Sequence, residues 1–253
     1  MPGWRHSDYS FPASLEYGWG DHGCMGWRVL GVDACKAGWA GIVLADGVAR
    51  SCFATAISDL AEQASRTGPL DVVAIDMPIG LPDAGRRQAD VLARALAGPR
   101  RASVFMTPVR AALAEEEYAA ATAVNVKLAG EGISRQAYGL RAKILQVDQW
   151  VRHAPYRVVE IHPEVSFACL AGKPLDVSKS TWAGVARRRH LLAGAGIVLA
   201  DDLGPAGQQA SVDDILDAAV AAWTALRVAS GQARPSPGAP EMFSDGLSCA
   251  IWA

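Results

Sequence analysis

The sequence predicts an α/β domain in which helices flank a mixed β-sheet. Three features predict it: short hydrophobic strands near the start, a strand–helix–strand step after them, and alanine-rich helical segments later in the chain. The chain has 253 residues, 51% of them hydrophobic, so it can bury a large core. The net charge of −2 predicts no general attraction to nucleic acid or to anionic membranes, so a polyanion would have to bind locally.

The first strands are predicted to form an antiparallel meander, because only short turns separate them. They are expected at 28–33, 39–44 and about 48–55. Asp46-Gly47 is a tight-turn signal between the second and the third. Ser58 is then a suitable N-cap for a helix near 59–66, and a strand at 71–76 completes a parallel crossover.

The later elements are predicted to be mostly helical. They are an insertion at about 83–155, a strand at 156–162, helices at 179–195 and 212–230, and a loop at 200–211. Residues 232–253 carry three prolines and a short apolar end, and no further strand is assigned to them. This order, three antiparallel strands followed by parallel ones, is that of a ribonuclease H-like mixed sheet with a helical insertion.

The domain organisation is predicted to be simple. Residues 1–24 mix aromatic residues and glycines without a period, which predicts a disordered or irregular extension. Residues 25–253 are expected to form a single domain that starts near Met25. The extension lacks the apolar segment of a signal peptide, no run is long enough to span a membrane, and the five cysteines include no CxxC pair, so the expected location is the cytoplasm.

Carboxylates at the ends of two strands are the main indication of function. Asp33 ends the first strand and Asp76 ends the fourth, and ligand sites of α/β proteins gather at such strand ends. One aspartate in this position usually only accepts turn amide hydrogens. Two of them on neighbouring strands favour a functional site.

A third acidic group lies at the start of the last long helix. Ser211 and Asp214 are spaced as a capping box, which alone explains Asp214, and Asp213 gains from the helix dipole. Asp217 lies too deep in the helix for either explanation and shares a face with Asp214. Asp33, Asp76, Asp214 and Asp217 are therefore predicted to bind Mg²⁺ or Mn²⁺, since hard cations prefer oxygen ligands.

Two further groups are candidates for the same chemistry. Glu160, His162 and Glu164 surround the end of the fifth strand, where a carboxylate could complete the metal shell and the histidine could carry protons. Six arginines against two aspartates between positions 83 and 110 could hold a phosphate backbone. The predicted nucleic-acid residues are Arg86, Arg87, Arg100, Arg101 and Arg110.

Several motifs together resemble one known family. They are Gly31–Trp39, Ala74–Pro82, Arg101–Phe105, Glu160–Phe167 and Asp214–Ala218. The chain is similar to the predicted ribonuclease H-like nucleases of domain of unknown function 429. The helical Asp-x-x-Asp-Ala is also similar to the closing motif of Holliday-junction resolvases, in which the equivalent acids bind metal with a first-strand and a fourth-strand acid, here Asp33 and Asp76. That fourth-strand acid is commonly Glu, and Asp76 is one methylene shorter.

The resemblance and the acids together imply a metal-dependent nuclease that hydrolyses phosphodiester bonds of DNA or RNA. A homodimer is compatible with the resemblance, and no membrane partner is expected. Two alternatives stay open: an actin-like phosphotransferase or ATPase, which would normally need a second core domain, and a non-catalytic binding protein that keeps the fold.

Overall fold

The computed structural model describes residues 26–253, so the expectations for residues 1–24 and for Met25 lie outside the described residues. Within this range one seven-stranded mixed sheet has the order β3-β2-β1-β4-β5-β7-β6. The strands are β1 (Val29–Cys35), β2 (Gly38–Ala45), β3 (Val48–Ala54), β4 (Val72–Ile75), β5 (Arg157–Glu160), β6 (Pro235–Met242) and β7 (Ser248–Trp252).

Helices cover both faces of the sheet. They are α1 (Ile57–Ser65), α2 (Gln88–Leu96), α3 (Arg110–Ala114), α4 (Tyr118–Ala129), α5 (Arg135–Gly139), α6 (Arg141–Trp150), α7 (Pro163–Ala171), α8 (Trp182–Gly194), α9 (Gly204–Gln209) and α10 (Val212–Ala229). Gly98–Ser103 and Val151–His153 form 3₁₀ turns. In the part of the chain that the structure describes, no helix is long and apolar enough to cross a membrane.

The predicted meander and the parallel step are both confirmed. Strand β1 pairs antiparallel with β2, β2 pairs antiparallel with β3, and β4 pairs parallel with β1. Asp46 and Gly47 turn the chain with φ of 51° and 75°, the left-handed conformation that a tight two-residue hairpin needs. Strand β5 continues the parallel part beside β4.

Alternate residues of the central strands face two separate hydrophobic cores. Val29, Ala74 and Ile161 belong to a core with α10 and with parts of α7 and α8. Val32 and Ile75 belong to the opposite core, which α1 and α6 cover. This alternation follows from the two-residue period of a strand and fixes which side chains can meet α10.

The helix α10 lies unusually close to the sheet because small residues face each other there. A Cβ added to Gly31 would lie 2.7 Å from the carbonyl carbon of Ala221, and nearer still to atoms of Ala218 and Ala222. Those alanines form one stripe of the helix, with the three- and four-residue spacing of a single face. The backbone of β1 therefore sets the position of α10.

The insertion at 83–155 is helical, as predicted, but three local expectations were wrong. Ser58 lies inside α1, whose N-cap is Ala56 and has no side-chain cap. The expected loop at 200–211 contains the short helix α9. Residues 232–253 form the hairpin of β6 and β7, since an edge strand tolerates prolines that an interior strand does not.

Candidate active site

Asp33 and Asp76 lie side by side at the carboxyl edge of the parallel strands. Val32 pairs with Ile75 in the register of β1 and β4, and the Asp76 backbone N–H donates to the Val32 carbonyl at 3.0 Å. Asp33 and Asp76 directly follow Val32 and Ile75. The Cα atoms of the two aspartates are therefore about 5 Å apart, the spacing of neighbouring strands. Strand β1 runs on to Cys35, so it ends two residues later than predicted and Asp33 lies inside it.

The close packing of α10 brings a third carboxylate to this edge. Asp33 follows Gly31 by two residues and therefore faces the same side of the sheet, toward α10. Asp217 precedes Ala218 on that helix, and its side chain is buried with only 1% exposed. Asp33, Asp76, Asp214 and Asp217 all line one cleft of about 380 Å³. All four residues therefore line one cleft, while their joint binding of a metal ion stays a prediction.

Burial makes three of these acids hard to ionise, and repulsion from neighbouring carboxylates adds to the effect for Asp33 and Asp76. Burial raises the pKa of Asp33 well above 3.8, and the charges of Asp76 and Asp217 raise it further. Burial and then the charge of Asp217 likewise raise the pKa of Asp76. Burial raises the pKa of Asp217 to about 6, although Lys179 opposes it. Carboxylates crowded in this way bind a cation because it relieves their repulsion.

Lys179 supplies a cation that the sequence did not reveal. Its ammonium group donates to Asp217 Oδ2 and lies 3.5 Å from Asp213 Oδ2. Burial alone would lower the pKa of Lys179, but the charges of Asp217, Asp33 and Asp76 hold that pKa above its ordinary value. Lys179 lies more than 30 positions from Asp213 and Asp217, on the segment before α8, so no local pattern in the sequence connects it with them.

One carboxylate oxygen of the cluster has no hydrogen-bond partner among the described residues. Asp217 Oδ1 is buried and accepts no hydrogen bond from any described residue. An unpaired buried oxygen loses the free energy of its hydration without compensation, so it favours a ligand at this point. Among residues 26–253, however, no three His, Cys, Asp or Glu side chains are already arranged to hold a metal ion.

Asp214 has the structural role that its spacing predicts. Its Oδ2 accepts from the Ser211 backbone N–H at 2.9 Å, and the Ser211 hydroxyl accepts from the Asp214 N–H, which completes a capping box. Asp214 still lines the cleft. One of its oxygens is therefore committed to the helix end, and it is less available as a ligand than Asp217.

Glu160 is committed to a buried ion pair. Glu160 pairs with Ile75 in the register of β4 and β5, so its side chain faces away from Asp33 and Asp76. Its oxygens accept from the buried Arg87 guanidinium and from the Ile79 N–H. Burial raises the pKa of Glu160 to about 7 against the opposing charge of Arg87.

Glu164 is committed in the same way. Both of its oxygens accept from Nη2 of Arg188, at 2.8 and 2.9 Å, and both side chains are buried. Although Glu160 and Glu164 border the cleft, their arginine partners already neutralise them. One of these two glutamates was expected to complete a metal shell. In the structure neither carboxylate is free to do so, because each is paired with an arginine.

His162 is the N-cap of α7. Its Nδ1 accepts from the Glu164 backbone N–H at 3.2 Å, so this nitrogen is unprotonated. Burial lowers the pKa of His162 to about 4, against a hydrogen bond with the Ser103 backbone that would raise it. The imidazole is therefore neutral at pH 7. It lines the cleft, but its cap contact leaves it less free to shuttle protons than the sequence suggests.

The arginines predicted to bind nucleic acid are not among the described residues that line the cleft. Arg87 is fully buried between Asp90 and Glu160, so its guanidinium is closed to a phosphate, contrary to the expectation. Arg110 pairs with Asp148 and Asp245. These two side chains hold elements together, because partners on distant segments already take their donors.

The other three predicted arginines are more accessible. Arg86 pairs with Glu131 and is 55% exposed. Arg100 lies 3.8 Å from Glu164, and Arg101 is exposed with no ion pair to any described residue. The arginine that does line the cleft is Arg135, which lies over the Tyr118 ring at 3.9 Å and which the sequence prediction did not include.

The comparisons with known proteins give one match. The family model described as "Protein of unknown function (DUF429)" matches residues 31–242. No curated protein and no solved structure matches the chain. The matched segment runs from the glycine that contacts α10 to the last residue of β6, so it contains all the acids of the cleft.

Proposed function

The chain belongs to the DUF429 family of proteins of unknown function, and we propose that it is a divalent-metal-dependent nuclease with a ribonuclease H-like acidic site. The reaction would be hydrolysis of a phosphodiester bond in nucleic acid. One observation carries the proposal: the carboxylates of Asp33, Asp76 and Asp217 line one cleft, and burial raises the pKa of all three, with the charge of Asp217 raising the pKa of Asp33 and Asp76 further.

The residues fit Mg²⁺ or Mn²⁺ better than other metals. The cluster offers oxygen ligands only, and the buried Asp217 Oδ1 has no partner among the described residues. Asp33, Asp76 and Asp217 would hold the ion. Since no three such side chains among residues 26–253 form a ready cage, binding would draw these carboxylates together, and waters and substrate phosphates would complete the shell. When bound, the ion supplies Lewis-acid chemistry by polarising a phosphoryl oxygen.

The chain's own residues contribute position and charge. Strand register fixes Asp33 and Asp76 next to each other, and the contact of α10 with Gly31 fixes Asp217. The buried pairs Arg87–Glu160 and Arg188–Glu164 hold the walls of the cleft in place. Fixed groups of this kind need little reorganisation when charge develops on the substrate.

Cleavage of a single-stranded or branched oligonucleotide with Mg²⁺ or Mn²⁺ tests the proposal, with Asp33→Asn as the comparison. ATP turnover without nucleic-acid cleavage would instead favour the actin-like phosphotransferase. Oligonucleotide binding without any cleavage would favour a non-catalytic binding protein.

A further inference from the structure

We propose that Lys179 is a catalytic residue of this centre: it occupies the place of a second metal ion, so that the site takes one divalent ion and Lys179 contacts the substrate phosphate. This inference rests on the proposed function, and it adds the number of metal ions and the residue that replaces one of them.

The structure holds Lys179 firmly in the cleft. Thr181, the N-cap of α8, donates its hydroxyl hydrogen to the Ser178 carbonyl at 2.8 Å, and Arg188 donates to the Val177 carbonyl at 3.3 Å. These contacts fix the segment on both sides of Lys179. Its side chain is 33% exposed, and its ammonium group lies against the buried Asp217 carboxylate. The lysine is therefore a fixed part of the site.

The charges of the cluster call for one divalent ion. Asp217 pairs with Lys179, whereas Asp33 and Asp76 have no ion pair with any described residue. One divalent ion would balance the charges of Asp33 and Asp76. A second divalent ion would have to lie close to the lysine ammonium, and the repulsion would not be screened in a partly buried cleft.

Lys179 keeps a donor for a substrate. An ammonium group has three N–H donors. One is used by Asp217 and one is directed toward Asp213, which leaves the third. Asp217 Oδ2 accepts from the lysine while Oδ1 has no described partner, so the same carboxylate can bind lysine and metal through different oxygens. A phosphate between the two cations would contact both.

The chemical step needs no proton from Lys179. A water oxygen forms a bond to phosphorus while the bond from phosphorus to the leaving sugar oxygen breaks. The water loses a proton to solvent, and the leaving oxygen takes one from solvent. The lysine charge offsets the negative charge that grows on the phosphoryl oxygens, the type of contribution that is worth about 10²–10³ in rate when one fixed donor is removed.

The test combines a metal count with cleavage. Mn²⁺ bound to the full chain is counted by electron paramagnetic resonance without nucleic acid, and cleavage of a single-stranded oligonucleotide is measured separately. Wild type should bind one Mn²⁺ per chain. Lys179→Met should bind Mn²⁺ at least as tightly, because a competing cation is gone, and should cleave at least about 100-fold more slowly. Lys179→Arg keeps the charge and should retain more activity than Lys179→Met.

Lys173→Met is the matched control, since Lys173 is an exposed lysine in the same connecting segment outside the cleft. Two Mn²⁺ ions per wild-type chain would overturn the proposal. Cleavage by Lys179→Met within threefold of wild type would do so as well, and so would loss of Mn²⁺ binding in that variant. If wild type binds one ion but cleaves no oligonucleotide, the proposed nuclease function is wrong. The number of bound ions tests only the proposal for Lys179.

Discussion

Gly31 of β1 contacts the backbone of Ala222 in α10 so closely that no side chain fits between them. This contact determines the distance between sheet and helix. Asp33, two residues further along the strand, and Asp217, one helical turn before Ala221, come together as a result. The geometry of the acidic cleft thus depends on a residue that carries no functional group.

Gly31→Ala should destabilise the protein, since the new methyl group would overlap the α10 backbone and force the helix away. We expect a loss of about 3 kcal/mol or more in the free energy of unfolding, at the upper end for an overpacked core. Chemical denaturation measures it. Gly194→Ala is the control: nothing lies within 4 Å of the added methyl group, and replacing a helical glycine should leave stability unchanged or raise it by up to about 1 kcal/mol. Equal stability of the Gly31 variant and wild type would disprove the close contact.

His162→Asn should reduce the acid sensitivity of the fold. The folded chain releases the His162 proton above a pKa of about 4, whereas the unfolded chain holds it up to its ordinary 6.5. The unfolded state therefore binds more protons in this window, and the stability that His162 contributes is lost as pH falls from 6.5 to 4. Asn keeps the N-cap but does not titrate.

Denaturation at several pH values measures that difference. Because the raised pKa values of the acids act in the opposite direction, the informative quantity is wild type minus variant. It should change by about 2–3 kcal/mol between pH 6.5 and pH 4. A constant difference across that range would mean that His162 titrates normally.

Arg87→Met should be among the most destabilising substitutions in the insertion. It leaves the buried carboxylates of Glu160 and Asp90 without their partner, which typically costs about 3–5 kcal/mol. Arg86→Ala removes only an exposed pair with Glu131 and should cost little. Adding Glu160→Gln to Arg87→Met should recover part of the loss. If the two arginine variants melt at the same temperature, the buried network does not exist as described.

Arg100 and Arg101 remain candidates for phosphate contact, and their joint change to Ala tests them. If both contact phosphates, the dependence of log affinity on log salt should become shallower by up to about two, as two fewer counterions are released. Arg86→Ala, on an arginine already paired with Glu131, is the control. If the salt dependence of the double variant is unchanged, neither arginine contacts phosphate, and both are only solvated surface side chains.

The central fold could be predicted from sequence because its signals are local. Continuous apolar runs predicted β1, β2 and β4, and Asp46-Gly47 predicted the hairpin between β2 and β3. Strands β6 and β7 could not be predicted in this way. Three prolines in β6 argue against an interior strand, and only the sheet order shows that β6 lies at an edge.

The site was predictable only in part for a related reason. Asp33 and Asp76 follow strands, and Asp217 lacks a capping role, so each stands out within its own segment. The pairing of Lys179 with Asp217 joins distant segments and has no local signal. The arginines of the insertion show the converse problem, because composition does not distinguish the buried Arg87 from the exposed Arg101.

Asp33→Asn isolates the role of one carboxylate of the cleft, because it keeps the shape of the side chain and removes its charge. In the metal-free protein the substitution should raise the melting temperature at pH 8, since it relieves a buried charge that Asp76 and Asp217 repel. This increase shows that the variant is folded before its activity is measured.

The decisive measurement is Mn²⁺-dependent cleavage of a single-stranded oligonucleotide by wild type and by this variant, purified in parallel. Wild type should cleave only with the metal, and Asp33→Asn should cleave at least about 100-fold more slowly, the scale of losing one fixed electrostatic contact. Equal cleavage by the two proteins, or no metal-dependent cleavage by wild type, would contradict the proposed nuclease function.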